Sequence, residues 1–514
     1  MQRRHFIQTS TAAVLTSCGR KVTLSQETPL AMSEMVRCMT AGELTSLDLM
    51  QHYLDRLQRR DRAGPELRSV IELHPDALAL AKQSDQAKTN RPLHGVPILI
   101  KDNIETADVM LTTAGSLAMA DAPKPKQDAE IVRRLRAAGA LLFGKTNLSE
   151  WANIRSSHSS SGWSARGGLT LNPHKLTHSA SGSSSGSAVA VAVGFCAAAI
   201  GTETNGSSIS PASSCGIVGL KPTVGSVSRS GIIPITQWQD TAGPMTLTVR
   251  DAALLMNVIS GVDARDSHSK EPPAGMTRDH TALMKPDALR GVRLGIVREL
   301  CGENREVLAL FDQALEKLRQ AGAVIIDSVV LPNHHTAENL SWKAMLTEFR
   351  ADLNTYLEAR GGKMRSLADV IAFNIEHRDT EMPHFGQEIF EKAERRSTPE
   401  AIAEAKEART LALQLAGPEG IDAALQEHQL HALICPTNDP IQRITLDKGD
   451  DDVRCACGPS AVAGYPHLTV PMGMVDGLPV GFSFFGAAWK EPELLAYGDA
   501  FEKIMPARVT PALR

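Results

Sequence analysis

Two short segments rich in glycine and serine flank one apolar stretch near the middle of the chain. The first covers residues 181–187 and the second residues 201–208. Small side chains allow several backbone N–H groups to crowd together, and such a set of donors can stabilise the oxyanion that forms when a carbonyl group is attacked. A flexible glycine–serine linker is the alternative interpretation. The Ala, Val, Ile and Phe residues between the two segments oppose it, because they favour burial.

Two further motifs in this region suggest other chemistries. Residues 139–146 match the phosphate-loop pattern G-x-x-x-x-G-K-[ST], but their apolar part is itself predicted to be a strand, which cannot wrap a phosphate. Residues 182–186 match the nucleophile elbow G-x-S-x-G, with Ser184 at the centre. The polar residues 172–181 do not predict the strand that must precede an elbow. An α/β-hydrolase therefore stays only as the mechanistic alternative.

Three segments of the chain resemble the amidase signature family, whose members use a Ser-Ser-Lys arrangement. Residues 182–188 match the first glycine–serine block of the family, residues 201–207 match the second, and residues 95–103 match the strand that delivers the lysine. Similarity also extends to residues 464–486. Residues 148–153 and 161–168 are similar to the peptide amidase branch of the family.

The resemblance implies a role for each matching residue. Ser207 is the nucleophile, Lys101 is the base, and Ser183 passes protons between them, with a cis peptide bond before Ser183. The backbone N–H groups of the second block are the oxyanion donors: Thr204, Asn205, Gly206 and Ser207. Serine is a poor nucleophile until a base takes its proton, and lysine can do so only when burial lowers its pKa. The apolar residues 96–100 provide such surroundings, and neither a metal nor an organic cofactor is implied.

One departure from the family pattern concerns the second block. Most family members follow the nucleophile with Ile-Arg, and this arginine pairs with the acidic residue that corresponds to Glu203. Here Ser208 and Ile209 follow Ser207. We therefore expect Glu203 to lack its partner and the turn to lose local support. Four other side chains are candidates for the walls of an acyl pocket, with core packing as the favoured role for each: Trp151, Trp163, His377 and Phe385.

The residues around these segments predict helices that alternate with apolar strands. Helices are predicted at 128–138, 250–259 and 307–321, and strands at 140–143, 292–297, 324–331 and 433–436. With the resemblance, this alternation predicts an α/β fold in which a mixed central β-sheet is covered by helices on both faces. Residues 339–416 are charged and helical in pattern. We expect residues 19–514 to form a single amidase signature domain, with a helical insertion or cap at about 339–416.

The composition is that of a globular protein with a large core. The chain has 514 residues, a net charge of −4 and 42% hydrophobic residues. A near-neutral charge without a dense basic patch argues against nucleic acid as a partner, and no apolar run of about 18 residues predicts a membrane-spanning helix. Most of the eight cysteines are interpreted as buried free thiols. Cys455 and Cys457 do not have zinc-knuckle spacing and are interpreted as structural.

The first 18 residues resemble an export signal. Arg3 and Arg4 precede a modest hydrophobic stretch, which describes a twin-arginine signal. The ending Leu-Thr-Ser-Cys resembles a lipoprotein box and predicts a lipid on Cys18, through which the protein would attach to a membrane. The alternative is an ordinary amphipathic N-terminus. The expected location is the periplasm or a membrane surface, and the cytoplasm if the signal interpretation fails.

These observations predict an amidase that cleaves a linear amide through an acyl-enzyme on Ser207. The expected partner is a small-molecule or peptide amide, and the candidate substrate is a C-terminal peptide amide. One alternative is the glutaminyl subunit of a tRNA amidotransferase, which the export-like N-terminus opposes. Another is a non-catalytic lipoprotein binding module, which the set of Lys101, Ser183 and Ser207 opposes. The sequence does not predict an oligomeric state.

Overall fold

The structure, a computed structural model, describes residues 22–513 apart from residues 26, 88, 451 and 452. The predicted export signal at residues 1–18, with Cys18, lies outside the described residues. Within them, no helix is both long enough and apolar enough to cross a lipid bilayer.

A mixed sheet of eleven strands forms the centre of the molecule, and a separate two-stranded ribbon lies apart from it. In chain order the strands are β1 (Val70–Leu73), β2 (Pro97–Lys101), β3 (Leu141–Thr146), β4 (Trp163–Ser164), β5 (Gly168–Leu169), β6 (Ala198–Glu203), β7 (Val218–Lys221), β8 (Thr241–Thr246), β9 (Arg293–Ile296), β10 (Val324–Ile326), β11 (Ala432–Pro436), β12 (His467–Val475) and β13 (Leu478–Phe485). Their spatial order in the central sheet is β1-β3-β2-β6-β8-β7-β12-β13-β11-β9-β10. Strands β4 and β5 form the ribbon.

Helices flank this sheet along the described chain. They are α1 (Met32–Thr40), α2 (Ser46–Leu57), α3 (Ala77–Gln86), α4 (Glu130–Ala137), α5 (Ser185–Ala192), α6 (Ile209–Ser214), α7 (Val249–Ile259), α8 (Arg305–Gln320), α9 (His334–Arg360), α10 (Leu367–Glu376), α11 (Arg378–Glu381), α12 (Glu388–Glu394), α13 (Pro399–Ala416), α14 (Ala423–Glu427), α15 (Gly458–Ala463) and α16 (Glu491–Ile504). The predicted fold class, a mixed central sheet with helices around it, is confirmed.

The position of β2 in the sheet determines where the predicted site lies. Strand β2 pairs in parallel with β3 on one side and with β6 on the other. The carboxyl ends of parallel strands meet at the same edge of a sheet. Lys101 at the end of β2 and Glu203 at the end of β6 therefore lie at one edge. All five residues of β2 are buried, because both faces of the strand are covered.

Helix α5 is short and consists of small residues, all of them buried. Ser, Gly, Ala and Val side chains allow the helix to lie close to the strands, so the hydroxyl groups at its start come near the end of β2. One enclosed position is Gly186, where a Cβ atom would lie 2.2 Å from the Ser69 carbonyl oxygen. Substitution there would force the backbone to move.

The segment predicted as a helical insertion or cap, at about residues 339–416, lies within helices α9 to α13, which cover residues 334–416. Apolar side chains of α9, α10 and α12 form a second hydrophobic core with Leu148, Trp151 and Ile154. The insertion therefore packs on the loop that follows β3.

The region matching the phosphate-loop pattern is a strand, as predicted. Lys145 and Thr146 belong to β3 and are fully buried. The Lys145 Nζ atom donates to the Thr112 Oγ1 atom at 2.9 Å and to the Ile104 carbonyl. This lysine is therefore part of the core beside β2.

Candidate active site

Lys101 ends strand β2, and its side chain is fully buried. The Nζ atom lies 2.7 Å from the Ser183 Oγ atom and 3.0 Å from the Ser184 Oγ atom. On strand β6 it lies 2.9 Å from the Thr202 Oγ1 atom and 3.3 Å from the Thr202 carbonyl oxygen. The amine is thus surrounded by hydroxyl and carbonyl oxygens, and none of these four contacts is to a carboxylate.

These surroundings change the protonation of the lysine. Burial lowers the pKa of the Lys101 side chain to about 7, although the carboxylates of Glu203 and Asp240 act in the opposite direction. Near neutral pH an appreciable fraction of Lys101 is therefore uncharged. A neutral amine can accept a proton from a serine hydroxyl group, which an ammonium group cannot do.

Ser183 follows a cis peptide bond, as the resemblance implied. Its carbonyl oxygen accepts a hydrogen bond from the Ser149 N–H group at 3.1 Å. Gly182, on the other side of the cis bond, is tightly enclosed, since a Cβ atom there would lie 2.3 Å from the Ser149 Oγ atom. The segment after β3 therefore fixes the backbone that carries the Ser183 hydroxyl.

Ser207 lies in the turn between β6 and α6. Its carbonyl oxygen accepts a hydrogen bond from the Ser184 N–H group at 2.9 Å, which ties the two glycine–serine segments together. Residue Ser207 is 8% exposed, whereas Lys101 and Ser183 are inaccessible to water. The nucleophile predicted from the sequence is therefore the member of the set that a substrate can reach.

The structure makes one of the two links of the predicted relay. The hydrogen bond between Lys101 and Ser183 is present. Within the part of the chain that the structure describes, the Ser207 hydroxyl makes no hydrogen bond, so the link from Ser183 to Ser207 is not made. In enzymes without substrate, catalytic hydrogen bonds are commonly long and shorten only when the substrate binds.

The turn after β6 presents backbone N–H groups, but not all four that were predicted as oxyanion donors. The Gly206 N–H group donates to the Glu203 Oε1 atom at 2.9 Å and is therefore already engaged. The N–H groups of Asn205 and Ser207 have no acceptor among the described residues. The Thr204 Oγ1 atom donates to Asp240 at 2.6 Å, and the Thr204 N–H group likewise has no acceptor among the described residues. Thr204, Asn205 and Ser207 thus have N–H groups that remain available.

The expected loss of support at Glu203 does not occur. Besides Gly206, its carboxylate accepts the Ser208 N–H group at 2.8 Å and the Ile209 N–H group at 2.9 Å. Two of these three donors lie at the start of α6, where backbone N–H groups have no partner within the helix and favour a negative charge. Main-chain donors therefore take the place of the arginine that most family members have. Glu203 thus holds the turn together through three main-chain hydrogen bonds.

Several contacts of the site had no role assigned from the sequence. Ser184 and Thr202 both contact the Lys101 amine, and the Thr202 Oγ1 atom also accepts from the Asn103 side chain at 3.0 Å. All three residues lie inside the matched blocks, so their position in the motifs was the available signal. Asp240 lies outside every motif, and only the folded chain brings it to Thr204.

Of the four side chains that were candidates for the walls of an acyl pocket, three pack in the interior and one lies at the surface. The Trp163 and Phe385 rings pack edge to face with centroids 5.1 Å apart, and the buried Arg155 guanidinium lies 4.2 Å from the Phe385 centroid. Trp151 is buried in the second core. His377 is exposed and stacks on Phe373. Core packing, the favoured interpretation, fits the first three.

The described residues contain no group of three or more His, Cys, Asp or Glu side chains arranged to hold a metal ion. Cys455 and Cys457 form a disulfide, and the other described cysteines are buried free thiols. The prediction of buried thiols therefore holds for Cys38, Cys196, Cys215, Cys301 and Cys435. The pair at 455 and 457 forms the one disulfide of the described chain.

The sequence and the fold match those of known proteins over nearly the whole chain. The family model described as Amidase matches residues 48–495. A probable amidase of Arabidopsis thaliana is 37% identical over 486 residues, which cover 91% of this chain and 88% of the relative. One subunit of the glutamyl-tRNA(Gln) amidotransferase of Chloroflexus aggregans is 36% identical over 494 residues, which cover 92% of this chain and 96% of the relative.

The structural neighbours include peptide amidases. The native peptide amidase from Stenotrophomonas maltophilia superposes with a TM-score of 0.88 at 48% identity, over 94% of this chain and 98% of that chain. A peptide amidase in complex with the competitive inhibitor chymostatin gives a TM-score of 0.90 at 49% identity, over 94% and 99% of the two chains. The corresponding amidotransferase subunit from Thermotoga maritima gives a TM-score of 0.71 at 25% identity, over 96% and 100%.

Proposed function

The chain belongs to the amidase family and is an amide-hydrolysing enzyme, and we propose that it removes ammonia from C-terminal peptide amides through an acyl-enzyme on Ser207. The observation that carries this proposal is the 2.7 Å contact between the buried Lys101 amine and the Ser183 hydroxyl. It supports a proton path from an accessible serine to a base of which an appreciable fraction is uncharged near neutral pH.

The first step forms the tetrahedral intermediate. Ser207 Oγ attacks the carboxamide carbon while its proton passes to Ser183, and the Ser183 proton passes to Lys101. The negative charge develops on the former carbonyl oxygen. The N–H groups of Thr204, Asn205 and Ser207 are available to stabilise it, and one such donor contributes about 3 kcal/mol to the transition state.

The second step expels ammonia and leaves an ester on Ser207. The proton held by Lys101 returns through Ser183 to the leaving nitrogen, so the relay acts first as base and then as acid. A water molecule then attacks the ester carbonyl with the same relay as its base. The products are the carboxylate and ammonia, and Lys101, Ser183 and Ser207 regain their original protons.

The choice of a peptide amide rests on the structural neighbours. Two peptide amidase structures are 48–49% identical to this chain over 94% of its length. The amidotransferase subunits are more distant, at 36% identity for the relative from Chloroflexus aggregans and 25% for the structure from Thermotoga maritima. A non-catalytic binding module is disfavoured, because Lys101, Ser183 and Ser207 are all present and the Lys101 amine, with its lowered pKa, lies 2.7 Å from the Ser183 hydroxyl.

The proposal is tested by measuring ammonia release from amidated peptides, simple aliphatic amides and glutamine. We expect peptide amides to have the highest kcat/KM and Ser207→Ala to remove the activity. Ser210→Ala is the matched control, since Ser210 lies three residues away in α6 and its Oγ atom bonds to Ser181 at 2.8 Å. Preferred release of ammonia from glutamine would instead favour the role of an amidotransferase subunit, and equal activity of Ser207→Ala would refute the nucleophile.

We also propose that residues 1–18 direct export and that Cys18 carries a lipid. The supporting observations are the paired Arg3 and Arg4 and the Leu-Thr-Ser-Cys ending. Replacing both arginines by lysine should leave the enzyme in the cytoplasm, and Cys18→Ser should release it from membranes. Unchanged location of both variants on cell fractionation would contradict the two assignments.

A further inference from the structure

The disulfide between Cys455 and Cys457 forms one wall of the nucleophile turn. Gly206 faces it directly, because a Cβ atom at this position would lie 3.4 Å from the Cys457 Sγ atom and 3.7 Å from the Cys455 Sγ atom. Gly206 has a φ of 80°, in the left-handed region, and immediately precedes Ser207. The two sulfur atoms therefore border the space that a side chain at position 206 would occupy, beside the backbone that orients the nucleophile.

Hydrogen bonds to neighbouring segments hold the main chain of the disulfide. The Ala456 N–H group donates to the Thr437 carbonyl oxygen at 2.8 Å, and Cys455 forms a β-bridge with Asn438. The Cys457 carbonyl oxygen accepts the Ala461 N–H group and the Ser460 Oγ atom, both at 3.0 Å, at the start of α15. The main chain that carries the two sulfur atoms is thus anchored by hydrogen bonds.

We propose that Cys455 and Cys457 are a reversible redox-modification site that controls the activity of the nucleophile turn. Cys455 is partly exposed, whereas Cys457 is buried, so a small dithiol meets the Cys455 sulfur first. The dithiol forms a mixed disulfide with one cysteine and releases the other as a thiol. The second thiol of the dithiol then attacks its own sulfur atom in the mixed disulfide and releases the remaining cysteine. The products are two cysteine thiols and a cyclic disulfide. Two electrons and two protons pass from the dithiol to the protein.

Reduction changes the space that the two sulfur atoms need. Bonded sulfur atoms lie about 2.05 Å apart, whereas sulfur atoms that are only in contact require about 4 Å. With the main chain of both cysteines fixed, the extra volume is pressed against Gly206. The same residue donates to Glu203, so its displacement is transmitted to the amides and the hydroxyl of the turn. A small displacement of the reacting groups lowers the rate of the chemical step strongly.

The test compares the oxidised enzyme with enzyme reduced by dithiothreitol, the two states being verified by intact mass and thiol titration. We expect reduction to lower kcat for an amide substrate by about tenfold with little change in KM, since a displacement on the order of 1 Å can cost up to ~100-fold. Reoxidation by oxidised glutathione, which accepts the two electrons and two protons by thiol–disulfide exchange, should restore the rate. Hydrogen exchange followed by mass spectrometry should show faster exchange in residues 203–209 after reduction.

The matched control is the double variant Cys455→Ser and Cys457→Ser, whose rate and exchange should be the same before and after dithiothreitol. A fall in its rate like that of the wild type would overturn the proposal, because the effect would then arise elsewhere. Verified reduction of the wild type without any change in exchange at residues 203–209 would also overturn it. Because exchange does not depend on the substrate, this readout separates the redox proposal from the proposed peptide amide activity.

Discussion

Lys101 combines a basic side chain with complete burial, and the oxygen atoms around it explain how both are tolerated. A charged amine there would lose its hydration without gaining a carboxylate partner, so the neutral form is favoured. Three hydroxyl groups and a carbonyl oxygen satisfy the neutral amine instead. The sequence predicted the identity of this lysine and its apolar strand. It did not predict Thr202 and Ser184 as contacts, because the resemblance assigned them no role and only the folded chain brings them to the amine.

The first prediction concerns pH. Since the pKa of Lys101 is lowered to about 7, kcat/KM should rise as the pH increases through about 7 and should level off above it, where the amine is neutral. Lys101→Met should lose about 10²–10⁴-fold in kcat and the rising limb with it. The pH–rate profiles of the wild type and the variant are measured with one amide, at a saturating concentration for kcat and at a limiting concentration for kcat/KM.

The matched control for this variant is Lys145→Met on the neighbouring strand. Lys145 is equally buried and its pKa is lowered to about 8, but its amine bonds to Ile104 and Thr112 rather than to the serines. Its variant should keep a rising limb near pH 7. If the limb disappeared in Lys145→Met and persisted in Lys101→Met, the base would be assigned to the wrong lysine.

At the scale of elements, the turn between β6 and α6 depends on one carboxylate. Glu203 gathers the N–H groups of Gly206, Ser208 and Ile209, and Gly206 can occupy the left-handed region because it has no Cβ atom. The family pattern suggested an arginine partner for this acid. Its replacement by main-chain donors was not predictable, because it depends on the path of the backbone after β6.

The second prediction follows from these three hydrogen bonds. Glu203→Gln places an amide N–H group near backbone donors and leaves at least one of them unsatisfied, which should cost about 1–3 kcal/mol in the free energy of unfolding. It should also lower kcat, since Ser207 loses its fixed position. Urea unfolding and steady-state kinetics measure the two effects.

Glu404→Gln provides the comparison for this prediction. Glu404 pairs with Lys343 and Arg396 at the surface, where its side chain is 45% exposed. Its loss should change the free energy of unfolding by no more than about 0.5 kcal/mol. Equal effects of the two substitutions would show that Glu203 does not support the turn.

At the scale of the whole molecule, the helical insertion is joined to the nucleophile turn by a buried polar chain. Arg409 of α13 donates to Glu348 of α9 at 2.7 and 2.9 Å and to the Gln239 side chain at 2.6 Å. Gln239 in turn donates to the Thr204 carbonyl oxygen at 3.2 Å. Besides packing on the loop after β3, the insertion is therefore linked through Gln239 to the segment that carries Ser207.

The extent of the insertion shows what the sequence could and could not predict at this scale. Its helical character followed from the spacing of charges and apolar residues in 339–416. The first turn of α9 was missed, because its N-cap is Asn333 in the left-handed conformation and no side chain caps it. The end of β3 was missed for a related reason. Lys145 and Thr146 are polar, and only tertiary burial places them in a strand.

The third prediction concerns this buried chain. Arg409→Met leaves Glu348 without its main partner and should cost about 3–5 kcal/mol of stability, as expected when one member of a buried ion pair is removed. Lys343→Met breaks only the surface pair with Glu404 and should cost less than about 1 kcal/mol. Thermal unfolding of both variants measures the difference. A smaller cost for Arg409→Met than for Lys343→Met would contradict the structural role.

The complete burial of the Lys101 amine has a consequence for chemical modification. An uncharged amine at neutral pH is the form that reacts with cyanate and with acylating reagents, so by its charge state alone Lys101 would be the most vulnerable of the described lysines. Its enclosure withholds it from such reagents until the surrounding segments open. The rate of carbamylation at Lys101 would therefore measure how often the surrounding segments open. Lysines at the surface would be carbamylated whether or not these segments open.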